Sequence, residues 1–387
     1  MQEPSKTNVP LDQGARSQAA AKLPSGDTKP QTQAAAVPTV GFDFYGIRVR
    51  VECDSAEVVH RVGEDFRYFG QVLGPADEIA LTISMRKRPP DYGRLPALTA
   101  SIYTPRNICY ADGDITYIDY FGRALAVYDR ARNHVDVTGD GLSLLHEIAY
   151  LTILSRVGDA LDRKGRHRLH ALAVGREGRA ALFLMPSGCG KSTLGLGLMQ
   201  KGTGLEMVSD DSPLITRSGR VLPFPLRIGV LGAPPPGVPE RFIQYMERME
   251  FAPKYLISMA AFEESLARGE LRPELIFLAE RMLGSGCTIR RTNFFVGYRA
   301  CIRHMIVGVG IYQGLEFLLR SSVIDLAKSV PSIISRAISA ATLLARGRVY
   351  TLHLGRDPDF NAAEILAFLG RELSPSRSTS ARSEPGP

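Results

Sequence analysis

Apolar and polar residues first fall into a regular pattern near Gly41. Ile47-Arg48-Val49-Arg50-Val51-Glu52-Cys53 puts every second side chain on one face, the signature of a half-buried strand. Asp54 then stands where a helix N-cap belongs, with Glu57 three residues on as its reciprocal partner, and the pattern predicts a helix through Phe69. Further strands are predicted at residues 79–85, 108–111 and 115–120, with Asp112-Gly113 as the hairpin turn between the last two. Over residues 141–164, Leu144, Leu145, Ile148, Leu151, Leu154, Val157 and Leu161 recur at steps of three and four. That spacing predicts a long amphipathic helix ending at Gly165 and buttressing the domain that follows.

The second half reads differently. Two apolar runs, residues 169–174 and 179–185, flank Gly175-Arg176-Glu177-Gly178 and predict a hairpin. The second run delivers Met185-Pro186-Ser187-Gly188-Cys189-Gly190-Lys191-Ser192-Thr193, and a further apolar stretch continues from Leu194 to Met199. Strand, glycine-bearing loop and helix, in that order, is the context of a phosphate-binding P-loop. Loop N–H groups and the helix N-terminus offer partial positive charge to a polyphosphate. Lys191 is placed to reach the β- and γ-phosphates and Ser192 to hold Mg²⁺, while Met185 occupies the position of the motif's first glycine. The bland alternative is a turn that happens to read Gly-Lys-Ser.

Residues 205–209 then predict a short strand that ends in Asp210-Asp211. Transfer to a hydroxyl needs one acid near Mg²⁺ and another within reach of the acceptor proton. On its own, such a pair is more simply a solvated turn before Ser212-Pro213. His170 lies 21 residues ahead of Lys191, at the start of the strand paired with the loop strand, where it can bond a phosphate or tune a carboxylate. Downstream, residues 275–279 and 349–354 read as strands, and 323–344 and 362–368 as helices. Arg227 and Lys254 follow prolines on loops and are candidates to neutralise a transferring phosphate. Cys189 reads as a small spacer within the loop.

Composition narrows the function classes. Residues 1–38 and 373–387 carry few large apolar groups and are expected to be disordered tails. Between them, residues 39–140 form a small α+β domain with no cluster of chemistry-bearing side chains, and residues 141–372 form an α/β nucleotide-binding domain. The net charge of +7 is spread thinly and lacks the aromatic interleaving of a nucleic-acid face. Five cysteines without a C-x-x-C pair argue for reduced thiols and against a zinc site. The longest apolar segment, residues 305–319, contains Gln313 and Glu316 and is too polar for a membrane span. The expectation is a cytoplasmic protein that binds neither nucleic acid nor membrane.

His170, the strand–turn–strand, Ser187-Gly188-Cys189-Gly190-Lys191-Ser192 and Asp210-Asp211 together resemble the core of HPr kinase/phosphorylase and its relatives. The resemblance covers residues 165–230. It implies a phosphoenolpyruvate-carboxykinase-like P-loop fold, with ATP held by residues 187–193. It also implies Mg²⁺ on Ser192 and Asp211, and catalytic roles for Asp210, Asp211, His170 and Lys191. The family phosphorylates serine on a protein and allows a homo-oligomer. This chain departs at Met185, at Thr193 where the bifunctional enzymes carry Glu, and in lacking their downstream signature. It is therefore similar to divergent members associated with peptide natural products, with a serine-bearing peptide or protein, and not HPr, as acceptor. Rival readings are an ABC-type or motor ATPase, a non-catalytic nucleotide-binding module and a small-molecule kinase. No L-S-G-G-Q-like helix start follows the loop to support the first.

Overall fold

The computed structural model describes residues 36–186, 188–248, 252–307 and 323–373, with residues 306–307 and 323–330 described by backbone only. The expected tails and most of the apolar segment 305–319 lie outside the described residues. The described residues from Val37 onward form one compact unit.

Its first layer is an eight-stranded sheet in the order β1-β2-β3-β8-β7-β6-β5-β4. The strands are β1 (Thr39–Asp43), β2 (Arg48–Cys53), β3 (Leu81–Lys87), β4 (Ile102–Tyr103), β5 (Ile108–Asp112), β6 (Ile115–Asp119), β7 (Ala124–Asp129) and β8 (His134–Gly139). β2 covers the alternating run, and its Val49, Val51 and Cys53 point into the core. The β5–β6 hairpin turns at Gly113, whose φ of 55° explains the glycine there.

Helix α1 (Ala56–Asp65) starts later and ends sooner than the sequence predicts, with Ser55 at its N-cap and a 3₁₀ turn, Arg67–Phe69, behind it. Asp54 is not the cap because its Oδ1 accepts the Lys87 N–H on β3 at 2.8 Å. Helix α2 (Leu142–Arg163) ends before Gly165, which takes a φ of 69°. Its Leu145, Ile148, Ile153, Val157 and Leu161 pack into the core of this first sheet, so the helix closes the first layer.

After α2 the chain forms β9 (Arg166–Arg168), β10 (Ala171–Arg176) and β11 (Arg179–Leu184). Glu177 and Gly178 turn the β10–β11 hairpin at φ values of 50° and 73°, a primed turn. Helix α3 (Lys191–Lys201) and β12 (Glu206–Ser209) follow, then β13 (Leu214–Thr216), β14 (Val221–Leu222) and β15 (Ile228–Val230). Next come β16 (Ile243–Met246), β17 (Lys254–Ile257), β18 (Arg272–Arg281), β19 (Cys287–Arg291) and helix α4 (Phe294–Ile302). The described chain closes with α5 (Val323–Arg346), β20 (Arg348–Leu354) and α6 (Pro358–Glu372).

The second large sheet runs β12-β10-β11-β18-β20-β19. β11, β18 and β20 are parallel to one another, and β11 is an unbroken apolar run because both its faces are covered. Ala181 and Phe183 join Leu194 and Leu198 of α3 and Ile365 and Leu369 of α6 on one side. Leu182 and Leu184 join Cys301 of α4 and Leu343 of α5 on the other. The molecule is thus mixed α/β. β9, β13 and β14 form one small sheet and β15, β17 and β16 another. Leu214, Leu222 and Phe224 reach back into the first core, where the Phe224 ring lies 5.0 Å from Phe69. Among the described residues no helix is long and apolar enough to cross a membrane.

Candidate functional site

Strands β11, β18 and β20 end at the same edge of their sheet, and crevices at such carboxyl edges are where ligands settle in α/β proteins. The loop after β11 carries Gly188 and Gly190 at φ values of 79° and 91°. Gly190 caps α3 in a left-handed conformation that side chains avoid. The first-turn N–H groups of α3, at Lys191, Ser192 and Thr193, open toward this edge with no intrahelical acceptors. Thr193 is exposed and Cys189 half-buried against the core, whereas Ser187 lies outside the described residues.

Met185 has a structural explanation. Its side chain is buried in the core beside Leu194, and it is absent from the positive-φ residues. The backbone there does not require glycine, and a large apolar group fills the floor. Its carbonyl accepts the Lys191 Nζ at 3.1 Å.

β12 runs antiparallel beside β10, so the end of β12 arrives next to the start of β10. Ala171 N–H donates to Asp211 O at 3.1 Å, which fixes Asp211 beside His170. Lys191 Nζ lies 2.8 Å from His170 Nε2. An ammonium only donates, so Nε2 accepts and the ring proton sits on Nδ1. Nδ1 faces Asp211 Oδ1 at 3.2 Å, and Lys191 Nζ is 3.6 Å from the same oxygen. The four residues expected to carry the chemistry therefore lie together, and the two aspartates take different partners. Ser192 Oγ donates to Asp210 Oδ2 at 2.9 Å, so the serine's carboxylate partner is Asp210, while Asp211 belongs to His170 and Lys191. The reason is the strand end: adjacent residues diverge, sending Asp210 under α3 and Asp211 toward β10.

Their environments differ accordingly. Asp210 is 7% exposed, and burial, reinforced by the charge of Asp211, pushes its carboxyl up to about 7. Burial acts on Asp211 in the same sense, but the His170 hydrogen bond and the charge of Lys191 outweigh it and hold that carboxyl below its usual range. The Asp211 side chain is nevertheless 49% exposed, so it sits in a recess, surrounded yet open. Asp210 Oδ1 is buried without a hydrogen-bond partner among the described residues. An orphaned carboxylate oxygen beside a serine hydroxyl suits a hard cation such as Mg²⁺, which typically takes one or two carboxylates and finds its other ligands in water and phosphate. No cluster of three or more His, Cys, Asp or Glu able to hold a metal by protein ligands alone occurs among the described residues.

The two basic candidates separate cleanly. Arg227 Nη1 is spent on the buried Asp65, at 2.6 and 2.7 Å from its two oxygens, and the guanidinium lies 4.0 Å over the Tyr150 ring. The Lys254 side chain makes no hydrogen bond or ion pair among the described residues, while its charge feels both Asp211 and Asp210. Burial and the neighbouring Arg248 lower its affinity for a proton.

Two residues were missed by sequence reasoning. His304, on the π-helical turn Arg303–Val307, stacks at 6.0 Å on His170 and donates from Nδ1 to the His170 carbonyl at 3.0 Å. Burial, with the charge of Lys191 nearby, lowers it to about 4. A lone histidine more than a hundred residues from the motif carries no sequence signal. Arg281 ends β18, donating to Cys189 O and Gly355 O at 3.0 Å each, and thereby clamps the glycine loop. Its position at a strand end beside the loop strand was the available signal. No family model matches this chain, and no curated protein matches it.

Proposed function

We propose that the chain is an ATP- and Mg²⁺-dependent kinase with a P-loop of the phosphoenolpyruvate-carboxykinase-like kind, akin to HPr kinase, that moves the γ-phosphoryl group to a serine hydroxyl of a peptide or protein. The observation that carries this reading is the convergence of Lys191, His170 and Asp211 at the N-terminus of α3, with Ser192 and Asp210 beside them. A phosphate-binding loop alone would serve any nucleotide binder. A recessed, half-open carboxylate oriented by a histidine is what a hydroxyl acceptor needs in addition.

In this reading the N–H groups of α3 and Lys191 hold the polyphosphate, and Lys191 exchanges His170 for phosphate oxygen. Ser192 and Asp210 would hold Mg²⁺, which would supply charge neutralisation for the phosphates. Asp211 orients the acceptor hydroxyl and takes its proton, and the His170 Nδ1–H keeps that carboxylate aimed. The bond from the γ-phosphorus to the bridging oxygen breaks as the bond to the serine oxygen forms, and ADP departs. Lys254 faces the same recess and offsets charge on the transferring group.

The test is transfer of labelled phosphate from ATP to a serine-peptide library. Lys191→Ala and Asp211→Ala should each lower it at least about 10²-fold, the usual scale for losing one preorganised group. A parent that binds ATP but whose transfer is untouched by both changes overturns the proposal.

A further inference from the structure

A cleft of about 490 Å³ lies between α1 and the β16–β17 hairpin, away from the glycine loop. Its walls include Arg61 and Glu64 of α1, Arg241, and Gln244 and Leu256 of the hairpin, and its floor includes Asp65 and Arg227. The cleft's size is in the usual range for ligand sites, but its lining is charged.

The hairpin links this cleft to the recess at Asp211. Ser258 N–H donates to Phe242 O at 2.9 Å, and the register pairs Gln244 with Leu256 and Met246 with Lys254. Alternation then puts the Phe242/Ser258, Gln244/Leu256 and Met246/Lys254 rows on one face. The cleft lies over the first two rows, and Lys254 in the third lies about 7 Å beyond Leu256, two residues of strand rise. Arg227, on the cleft floor, also sends its charge to Lys254.

The charge balance of the cleft is lopsided. Each carboxylate in its lining already has a cation: Glu57 pairs with Arg61, Glu64 with Arg67 at 3.1 Å, and Asp65 with Arg227. Arg241 meets no carboxylate among the described residues and rests 4.7 Å over the Phe242 ring. Lys254, beyond the cleft along the hairpin, also has no ion-pair partner among the described residues. A cleft whose acids are satisfied, with Arg241 spare in its wall and Lys254 further along the hairpin, attracts negative charge.

We infer that this cleft docks an acidic segment of the acceptor polypeptide, with Arg241 gripping a carboxylate and the hairpin face leading the chain to Asp211. The inference rests on the kinase reading for the destination of the chain, but docking itself is measured apart from transfer.

The experiment uses the full chain and short fluorescein-labelled peptides in which one serine is flanked by Glu, by Lys or by Gly, read by anisotropy at physiological salt. The Glu peptide should bind at least about tenfold more tightly than the Lys peptide, the scale of a charge-selected contact. Arg241→Glu should weaken the Glu peptide by about tenfold or more and Arg241→Gln by several-fold, with binding of a fluorescent ATP analogue unaltered. Equal binding of the three peptides, no binding of the Glu peptide up to millimolar concentration, or full retention by both Arg241 variants overturns the proposal. So does a single-stranded oligonucleotide that outcompetes the Glu peptide at this cleft. If the peptide pattern holds while phosphate transfer is absent, the kinase reading fails and the docking cleft stands.

Discussion

Two clusters in this molecule use the same three kinds of side chain, an aspartate, a histidine and a cation, and they do opposite things. Asp65, His146 and Arg227 are sealed: the aspartate is 3% exposed and the histidine 0%. His146 Nε2 meets Asp65 Oδ2 at 2.7 Å, and the charges of Arg227 and His146 overcome the burial that would otherwise raise the Asp65 carboxyl. Asp211, His170 and Lys191 are spaced more loosely, at 2.8 to 3.6 Å, the aspartate is half open, and Asp210 beside it has an oxygen with no hydrogen-bond partner among the described residues. Residue types alone do not tell a bolt from a site. Exposure does, because a cluster closed over its own charges leaves a ligand no way in.

The sharpest way to break this comparison is to remove the cation from each cluster. Arg227→Met leaves Asp65 buried against a single histidine and should cost about 3–5 kcal/mol of stability, the penalty for uncovering a buried charge. Lys191→Met leaves Asp211 with water beside it and should change stability by no more than about 1 kcal/mol. Urea unfolding of both variants measures the two directly. Asp65→Asn added to Arg227→Met should restore part of the loss. Equal losses in the two single variants would mean that the open cluster is as structural as the closed one.

How far the sequence reached follows the same division. The hairpin, the glycine loop and the strand ending in two aspartates are local patterns, so their order and their convergence were legible from spacing. Partner choice was not: which aspartate takes Ser192 depends on how the chain turns after β12, and the pairing of Arg227 with Asp65 spans 162 residues. Met185 shows the limit well, since motif comparison marks it as a defect while the fold uses it as core. Met185→Gly, which restores the motif, should therefore destabilise the protein by about 2–4 kcal/mol through the cavity left beside Leu194. Thermal unfolding checks it. A variant as stable as the parent would show that the loop floor, unlike the sealed cluster, tolerates loss of packing.

The smallest effect isolates Asp210, the residue that most separates the open cluster from the closed one. Its carboxyl stands near 7 in the folded chain, because burial and the charge of Asp211 disfavour its ionised form. In the unfolded chain it falls back to the ordinary value of about 4. A carboxyl raised by folding holds its proton more tightly in the folded state, so its contribution is full below about pH 4 and is lost as pH climbs toward 7. Asp211 acts in the opposite sense, and its depressed value confines its effect to the acid side of that window. Between these limits, the protein in chelator should lose about 2–3 kcal/mol relative to Asp210→Asn, which carries no charge at any pH. Denaturation curves collected from pH 5 to pH 8 test this, and parallel pH profiles for the two proteins would remove Asp210 as the strained member of the open cluster. Mg²⁺ with nucleotide should erase the difference, since a cation beside Ser192 and Asp210 stabilises the ionised carboxylate that burial alone penalises.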